Sequence, residues 1–356
     1  MGRKNGQILI LVLYCILAAC KKDKPAAINN TAPTGSGYVY VVCEGAFKSG
    51  NSSLYAYKPT TKNIYGDLYQ AANNQFLGDV FQSMILVNGN FFLCINASTK
   101  VAIIDTHSYK LITNISVADP RYILPVTNTK AYLTSLYHNK VYILNTQAYT
   151  LADSITLPCK NTEGLCLYNG DAFVATWDST DRNIYRIDAT TDKIIQAIPV
   201  AGYAPKEILL DIEQTLWVLA GDGLQVGKIA TLTHIDPSTG NILASWQFPD
   251  NAQPIKPVFN PTKDTLYFIE ANQFGGTDNN GIYRMGIHDA ALPAQPLIAA
   301  RALQYFWALG IDPATGRIYV GDPKGFIQNG DVHVYTQNGV AIDSFAVGVG
   351  PGHFYF

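Results

Sequence analysis

Residues Leu232 to Phe248 read LTHIDPSTGNILASWQF, which is one strand-like run, an Asp-Pro turn and a second strand-like run. The same unit recurs as VAIIDTHSYKLITNISV at Val101 to Val117 and as IYRIDATTDKIIQAIPV at Ile184 to Val200. β-Branched and aromatic residues favour strands, and the turn Asp can accept a hydrogen bond from the backbone two residues further on. Each unit is therefore predicted to be a β-hairpin.

The hairpin occurs seven times along the chain. A further copy spans Val141 to Leu157, and looser copies span Leu54 to Tyr69, Ile282 to Ile298 and Val332 to Val347. Neighbouring turns are 40 to 50 residues apart, a period that is typical of β-propeller blades. We therefore predict an all-β fold over residues 37–356, a seven-bladed β-propeller of four-stranded blades.

The two ends of this region complement each other. The domain opens with a run typical of a blade's second strand, Tyr38 to Cys43, and closes with one more inner-strand run, Gly352 to Phe356. The last blade is therefore predicted to be closed by both termini, which would pair the two edges of the ring that are otherwise exposed.

Composition excludes two classes of protein. The chain has 356 residues, of which 48% are hydrophobic and 15% charged, with a formal net charge of -2. This apolar content is too high for a disordered chain, and so balanced a charge gives no electrostatic reason to bind nucleic acid. We expect a globular protein that folds as a monomeric propeller.

The N-terminus resembles a bacterial lipoprotein signal. Arg3 and Lys4 precede an apolar run from Ile8 to Ala19, and Cys20 follows small residues directly. A run of this length is short for a membrane span, so we predict a signal peptide at residues 1–19. Cys20 would carry the lipid and residues 20–36 would form a flexible tether. The protein would then be attached to a membrane without crossing it.

Four cysteines remain in the predicted domain, at Cys43, Cys94, Cys159 and Cys166. An exported protein can form disulfides, and a Cys159–Cys166 bridge is conceivable. Four reduced thiols packed as small hydrophobic residues are the alternative that we favour.

Catalytic and metal-binding patterns are missing from the sequence. It has no G-x-S-x-G, G-x-x-x-x-G-K-[ST] or H-E-x-x-H motif, and these are the patterns that would indicate a serine nucleophile, a phosphate loop or a zinc site. Its six histidines are scattered over different repeats without ligand spacing. We therefore expect no metal site, no cofactor and no enzymatic activity.

Loops at one end of the propeller channel form the expected working surface, because scaffold-held loops commonly carry function. They combine aromatic side chains with amides and a few charges, a mixture that suits a flat polar ligand. The candidate ligand-binding residues are Arg121, Tyr137, Trp177, Asp178, Tyr203, Lys206, Asn272, Gln273, Phe274, Tyr305, Trp307 and Asp322. Any one of them could instead simply cap the core.

The chain resembles the seven-bladed surface lipoproteins of the Bacteroidetes, within the YncE-like propellers and the DUF5074 family. The resemblance covers the whole predicted domain. Its most specific segments are VCEGAFKSGN at Val42 to Asn51, ANNQFLGDVFQS at Ala72 to Ser83, PRYILP at Pro120 to Pro125, KAYLTSL at Lys130 to Leu136 and PGHFYF at Pro351 to Phe356. Cys43 stands where the more common form of the first segment has Asn.

This resemblance implies an outer-membrane lipoprotein, exposed at the cell surface, that binds rather than catalyses. Some similar propellers capture cobalamin or other corrinoids for a TonB-dependent transporter, and a corrinoid's amides would match the aromatic and amide loop set. A protein-interaction or scaffold propeller without a small ligand is the main alternative. A lactonase-like or quinoprotein-like enzyme is a third, although the sequence lacks the converging ligands that either would need.

Overall fold

The computed structural model describes residues 28–29, 32–222, 226–250, 252–271 and 281–356, and nearly all of its regular structure is β-sheet. Six sheets have four strands each and one has five. They form the seven blades of a propeller, as the repeats predict. Within the described residues, no helix is long and apolar enough to cross a bilayer.

The first described segment contributes strands to the blade that closes the ring, which we call blade 7. These are β1 (Ile28–Asn29), β2 (Val39–Cys43), β3 (Ser53–Lys58) and β4 (Asn63–Tyr65). Helix α1 (Leu68–Asn73) follows, with the Asp67 carboxylate accepting hydrogen bonds from the N–H groups of Tyr69 and Gln70 at its N-terminus.

Blades 1 to 3 follow in chain order, and in each of them the first strand is the inner one. Blade 1 contains β5 (Phe81–Val87), β6 (Asn90–Ile95), β7 (Lys100–Asp105) and β8 (Leu111–Ser116). Blade 2 contains β9 (Pro120–Pro125), β10 (Lys130–Ser135), β11 (Lys140–Asn145) and β12 (Thr150–Thr156). Blade 3 contains β13 (Thr162–Tyr168), β14 (Asp171–Thr176), β15 (Asn183–Asp188) and β16 (Lys193–Pro199).

Blades 4 to 6 repeat this arrangement. Blade 4 contains β17 (Pro205–Leu210), β18 (Leu216–Asp222), β19 (Lys228–Ile235) and β20 (Ile242–Gln247). Blade 5 contains β21 (Gln253–Phe259), β22 (Thr265–Ala271), β23 (Gly281–Gly286) and β24 (Ile298–Ala299). Blade 6 contains β25 (Ala308–Ile311), β26 (Ile318–Asp322), β27 (Asn329–Tyr335) and β28 (Ala341–Val349).

Both termini complete blade 7, as the sequence predicts. The last strand, β29 (Pro351–Tyr355), is its inner strand and pairs antiparallel with β2, with Val41 opposite Phe354. Within the predicted tether, Ile28–Asn29 adds a fifth strand that runs parallel to β4. The N-terminal segment therefore covers the outer edge of this blade.

The hairpin turns have the side-chain hydrogen bonds that their sequences predict. Oδ1 of Asp105, Asn145, Asp188 and Asp236 accepts a hydrogen bond from the backbone N–H two residues further on, at 2.7 to 3.1 Å. These contacts fix the turn between the third and fourth strands in four blades.

The core lies between blades rather than inside a single layer. Among the described residues, buried apolar side chains form seven clusters, one for each pair of neighbouring blades. All four cysteines of the domain are unpaired thiols. Cys43, Cys94 and Cys166 are buried in strands as expected, whereas Cys159 is half-buried in the connection between blades 2 and 3.

Two inner strands approach closely at Gly164 of β13. A Cβ atom at this position would lie 2.7 Å from the carbonyl oxygen of Lys206 and 2.9 Å from Cα of Glu207, both in β17. Both neighbours are backbone atoms that cannot swing away, so this crossing requires glycine.

Blade 4 contains a buried polar network around Asp211. This carboxylate is fully buried and accepts hydrogen bonds from Trp217 Nε1 at 2.8 Å, Thr215 Oγ1 at 2.5 Å and the Thr215 N–H at 2.8 Å. The Trp217 ring stacks with His234, at 4.5 Å between centroids, and with Trp246, at 5.3 Å. The network therefore ties three strands of the blade together.

We predict that Asp211→Ala lowers the free energy of unfolding by about 2–4 kcal/mol, because it leaves buried donors without an acceptor. Asp236→Ala, in the exposed turn of the same blade, should cost about 1 kcal/mol or less. Denaturant titration followed by Trp fluorescence measures both changes. Equal losses for the two variants would contradict the role assigned to Asp211.

We predict that deleting residues 352–356 opens the ring, because the deletion removes most of β29 and its pairing with β2. The melting temperature should fall by more than about 10 °C, or cooperative unfolding should disappear. Calorimetry of the deleted and intact chains, both made without residues 1–19, tests this. Unchanged melting would refute closure by the C-terminal strand.

Candidate functional site

The inner strands surround a central channel whose two ends differ. Because successive strands of a blade are antiparallel, the blade-to-blade connections and the loops between second and third strands lie at the same end. We call this end the mouth face. A cavity of about 630 Å³, the mouth cavity, opens there and is lined by side chains from several blades.

Four consecutive inner strands present a polar side chain to this cavity at their second position. These residues are Gln82 in β5, Arg121 in β9, Glu163 in β13 and Lys206 in β17. Equivalent positions of the blades face the channel at the same depth. The result is an arc of polar groups around one side of the mouth.

Arg121 and Glu163 form a buried ion pair in this arc. Arg121 Nε lies 2.9 Å from each Glu163 carboxylate oxygen and Nη2 lies 2.7 Å from Oε1, while the Glu163 side chain is only 4% exposed. Arg121 Nη1 also donates to Gln82 Oε1, and Gln82 Nε2 donates to the Tyr122 hydroxyl at 3.0 Å. These contacts hold the arc rigidly in place.

The charge of Lys256 acts on two buried acidic residues of the cavity, Glu207 and Glu44. Burial raises the pKa of Glu207 to about 7, against the opposing effect of the Lys256 charge and with a further increase from Glu163. Burial likewise raises the pKa of Glu44, and Lys256 again opposes it. In the described part of the chain, neither the Glu207 carboxylate nor the Lys256 ammonium has a recorded hydrogen bond or salt bridge.

Aromatic side chains complete the wall of the cavity. Trp307 donates from Nε1 to Glu44 Oε1 at 2.8 Å, and its ring centroid lies 5.9 Å from Lys256 Nζ. Trp177 also lines the cavity, and its indole N–H is buried without a hydrogen-bond partner among the residues described. Tyr137 and Phe47 stand at the rim, 66% and 69% exposed.

Two further basic groups have pKa values lowered by burial. The pKa of Lys206 is lowered, although Asp222, whose Oδ2 lies 3.8 Å from its ammonium, opposes the effect. Burial and the Lys256 charge lower the pKa of His353 in β29 to about 3. His353 is therefore neutral at physiological pH and adds no charge to the channel.

The structure places five of the predicted ligand-binding residues in the mouth cavity: Arg121, Tyr137, Trp177, Lys206 and Trp307. Tyr305 and Asp322 line a separate cleft of about 350 Å³ instead. Asp178 and Tyr203 lie on loops of the mouth face but do not line the cavity. Asn272, Gln273 and Phe274 fall outside the described residues.

Sequence reasoning missed most of the charged lining. The additional polar residues are Glu44, Gln82, Asn96, Tyr122, Glu163, Glu207, Asp222 and Lys256. Aligning the inner strands would have found Gln82 and Glu163, because they occupy the same strand position as Arg121 and Lys206. Over the described ranges, no three His, Cys, Asp or Glu side chains are grouped so that they could hold a metal ion.

Comparison with solved structures places the fold among known propellers. A quinoprotein alcohol dehydrogenase-like protein from Bacteroides thetaiotaomicron aligns with a TM-score of 0.68 and 16% identity, over 90% of this chain and 78% of its own. A protein of unknown function from Desulfotomaculum acetoxidans aligns with a TM-score of 0.62 and 12% identity, over 90% of this chain and 98% of its own. Hydrazine synthase from Kuenenia stuttgartiensis aligns with a TM-score of 0.59 and 12% identity, over 76% of this chain and 87% of its own. Identities this low establish the fold alone.

A search of curated proteins finds no match. A family profile, by contrast, matches residues 36–356, which is the whole propeller. Its description is "Domain of unknown function (DUF5074)". The chain therefore belongs to the DUF5074 family of β-propellers.

Proposed function

We propose that this protein is a lipid-anchored binding protein of the cell envelope that captures a polar ligand in the mouth cavity. The observation that carries the proposal is the convergence of Arg121, Glu163, Glu207, Lys256 and two Trp rings in one cavity of about 630 Å³. Ligand sites commonly measure about 300–1,000 Å³ and combine apolar walls with a few placed polar groups. The mouth cavity has this composition.

Binding fits the cavity better than catalysis does. A general acid or base needs a titratable group that can reach a reacting atom, whereas Arg121 and Glu163 are occupied with each other. Lys256 and Glu207 have no salt-bridge partner among the described residues, so they can hydrogen-bond to a ligand. We propose that these groups bind a ligand rather than catalyse a reaction.

A corrinoid such as vitamin B12 is the ligand that we propose. It is a broad ring that carries amide side chains, and the amide oxygens can accept hydrogen bonds from Lys256 and from the protonated Glu207 carboxyl. An acceptor that reached the Trp177 indole would also offset its unpaired N–H, which costs about 1–3 kcal/mol. One edge of the ring would enter the cavity while the rest lay on Tyr137 and Phe47 at the rim.

The cellular setting follows from the predicted lipoprotein signal, which lies outside the described residues. A lipid on Cys20 would hold the propeller at the outer membrane, exposed at the cell surface. There it would pass its ligand to a TonB-dependent outer-membrane transporter. Neither nucleic acid nor a resident cofactor has a role in this proposal.

A protein-interaction role is the second candidate, and one observation favours it. Phe47, Tyr137, Leu303 and Ile327 all lie on loops of the mouth face and are 66% to 92% exposed. Exposed apolar side chains on one face commonly mark a contact with another protein. In that role the loops would bind a partner and the cavity would remain without a small ligand.

We predict that cyanocobalamin binds the chain from residue 20 onward, which keeps strand β1, and that Trp177→Ala and Trp307→Ala each weaken binding by about tenfold or more. Both changes remove an aromatic wall of the cavity. Isothermal titration calorimetry measures the affinities. Trp246→Ala, on the outer strand of blade 4, is the matched control and should leave the affinity unchanged.

Absence of cyanocobalamin binding at high micromolar concentration would reject the corrinoid. Binding that neither cavity variant weakens would place the ligand elsewhere. If binding is absent and substitution of Phe47 or Leu303 abolishes capture of an envelope protein, the second candidate replaces the first.

We further predict that cyanocobalamin binds more tightly at pH 6 than at pH 8. Glu207 loses its proton as the pH rises through about 7, and a neutral ligand that excludes water from the cavity favours the protonated carboxyl. Glu207→Gln should remove this pH dependence. Glu270→Gln, which alters a carboxyl of β22 whose pKa is also raised by burial, should preserve it. A pH dependence that persists in Glu207→Gln would contradict the assignment.

A further inference from the structure

The opposite end of the channel has a chemistry unlike that of the mouth. A second cavity of about 570 Å³ opens there, which we call the basal chamber. Leu124, Leu167, Leu209, Leu210 and Val258 contribute to its wall, and all five are half-buried. These side chains come from four neighbouring blades, so the chamber belongs to the ring rather than to one loop.

The inner strands explain the contrast between the two ends. In β17, Lys206 and Glu207 reach the mouth cavity, while Leu209 and Leu210, further along the strand, line the basal chamber. β9 repeats the pattern, with Arg121 at the mouth and Leu124 in the chamber. The two cavities share no lining residue. The channel is therefore polar at one end and aliphatic at the other.

Lys263 is the one charged residue that lines the chamber in the described structure. It lies in the turn between β21 and β22 and is exposed. Lys263 lines the chamber together with Cys166 of β13. Burial raises the pKa of the Cys166 thiol to about 11, and the Lys263 charge opposes that rise.

The neighbouring acid does not neutralise Lys263. Asp264 Oδ1 accepts hydrogen bonds from Asn260 Nδ2 at 2.7 Å and Thr265 Oγ1 at 2.9 Å, within its own turn. No salt bridge to the Lys263 ammonium is recorded over the described ranges. The rim of the chamber therefore has a positive charge available to an anionic group.

We propose that the basal chamber binds an aliphatic carboxylate, a long-chain fatty acid anion, with its chain against the leucines and its carboxylate at Lys263. Half-buried leucines around an open cavity leave apolar area in water, and a chain that covers them removes this area from water, which favours binding. The single cation at the rim complements a single negative charge. This site is separate from the mouth cavity and does not depend on corrinoid binding.

Fluorescence titration with cis-parinaric acid tests the proposal on the chain from residue 20 onward, which keeps strand β1. The wild-type chain should bind the probe, and Leu209→Asp should abolish binding because it places a charge in the aliphatic wall. Leu124→Asp, on another blade, should do the same. Leu243→Asp changes an exposed leucine on the outer strand of blade 4, 53% exposed, and should bind like wild type. Circular dichroism identifies any variant that fails to fold.

A second comparison tests the role of Lys263. Lys263→Gln should weaken binding of cis-parinaric acid about fivefold while leaving its neutral methyl ester unaffected. Lys193→Gln, on the outer strand of blade 3, is the matched lysine control. Saturating cyanocobalamin should not displace the probe, and Trp307→Ala should not weaken binding of the probe.

The proposal is overturned if the wild-type protein does not bind cis-parinaric acid, or if folded Leu209→Asp and Leu124→Asp bind it as wild type does. It is also overturned if Trp307→Ala abolishes probe binding, which would place the probe in the mouth cavity. Failure of cyanocobalamin to bind, with the chamber variants behaving as expected, would reject the corrinoid proposal alone.

Discussion

Pairing of β29 with β2 is the interaction on which the rest of the structure depends. It joins the last strand of the chain to the first blade strand, with Val41 opposite Phe354, and so turns seven sheets into a ring. Each blade leaves one apolar face uncovered until a neighbour packs against it, and the seven interblade clusters are complete only in a closed circle. Closure also fixes the width of the channel, because the inner strands can then neither spread apart nor collapse. Both cavities are consequences of that fixed width.

The two ends of the channel are lined by different kinds of side chain. At the mouth, the Arg121–Glu163 pair holds the polar arc in place, while Glu207 and Lys256 form no ion pair with any described residue. Removing charge from water is costly, and such groups persist where they serve a ligand or a partner. At the opposite end the same inner strands present leucines with Lys263 at the rim. One repeated strand can supply both ends because its first and last residues reach different depths of the channel.

Much of the fold could be predicted because each repeat carries its own signal. The turn residues, such as Asp105 and Asp236, make the predicted hydrogen bonds, and the complementary runs at the two termini predict closure of blade 7. The short strand Ile28–Asn29 was not predicted, since two residues carry no periodicity. The site was predicted less completely. Loop aromatics such as Trp177 and Trp307 are conspicuous in the sequence, whereas the charges on the inner strands become a cluster only when the ring brings separate blades together.

Hydrogen exchange measured by mass spectrometry, with and without cyanocobalamin, tests whether the mouth cavity is the ligand site of the closed seven-bladed ring. Ligand should slow exchange in the connections 117–119, 157–161 and 200–204 and in the loop 136–139, which surround the mouth. Exchange in the outer strands β8, β12 and β16 should stay unchanged. Slowed exchange confined to the outer strands, or no change anywhere, would contradict this assignment.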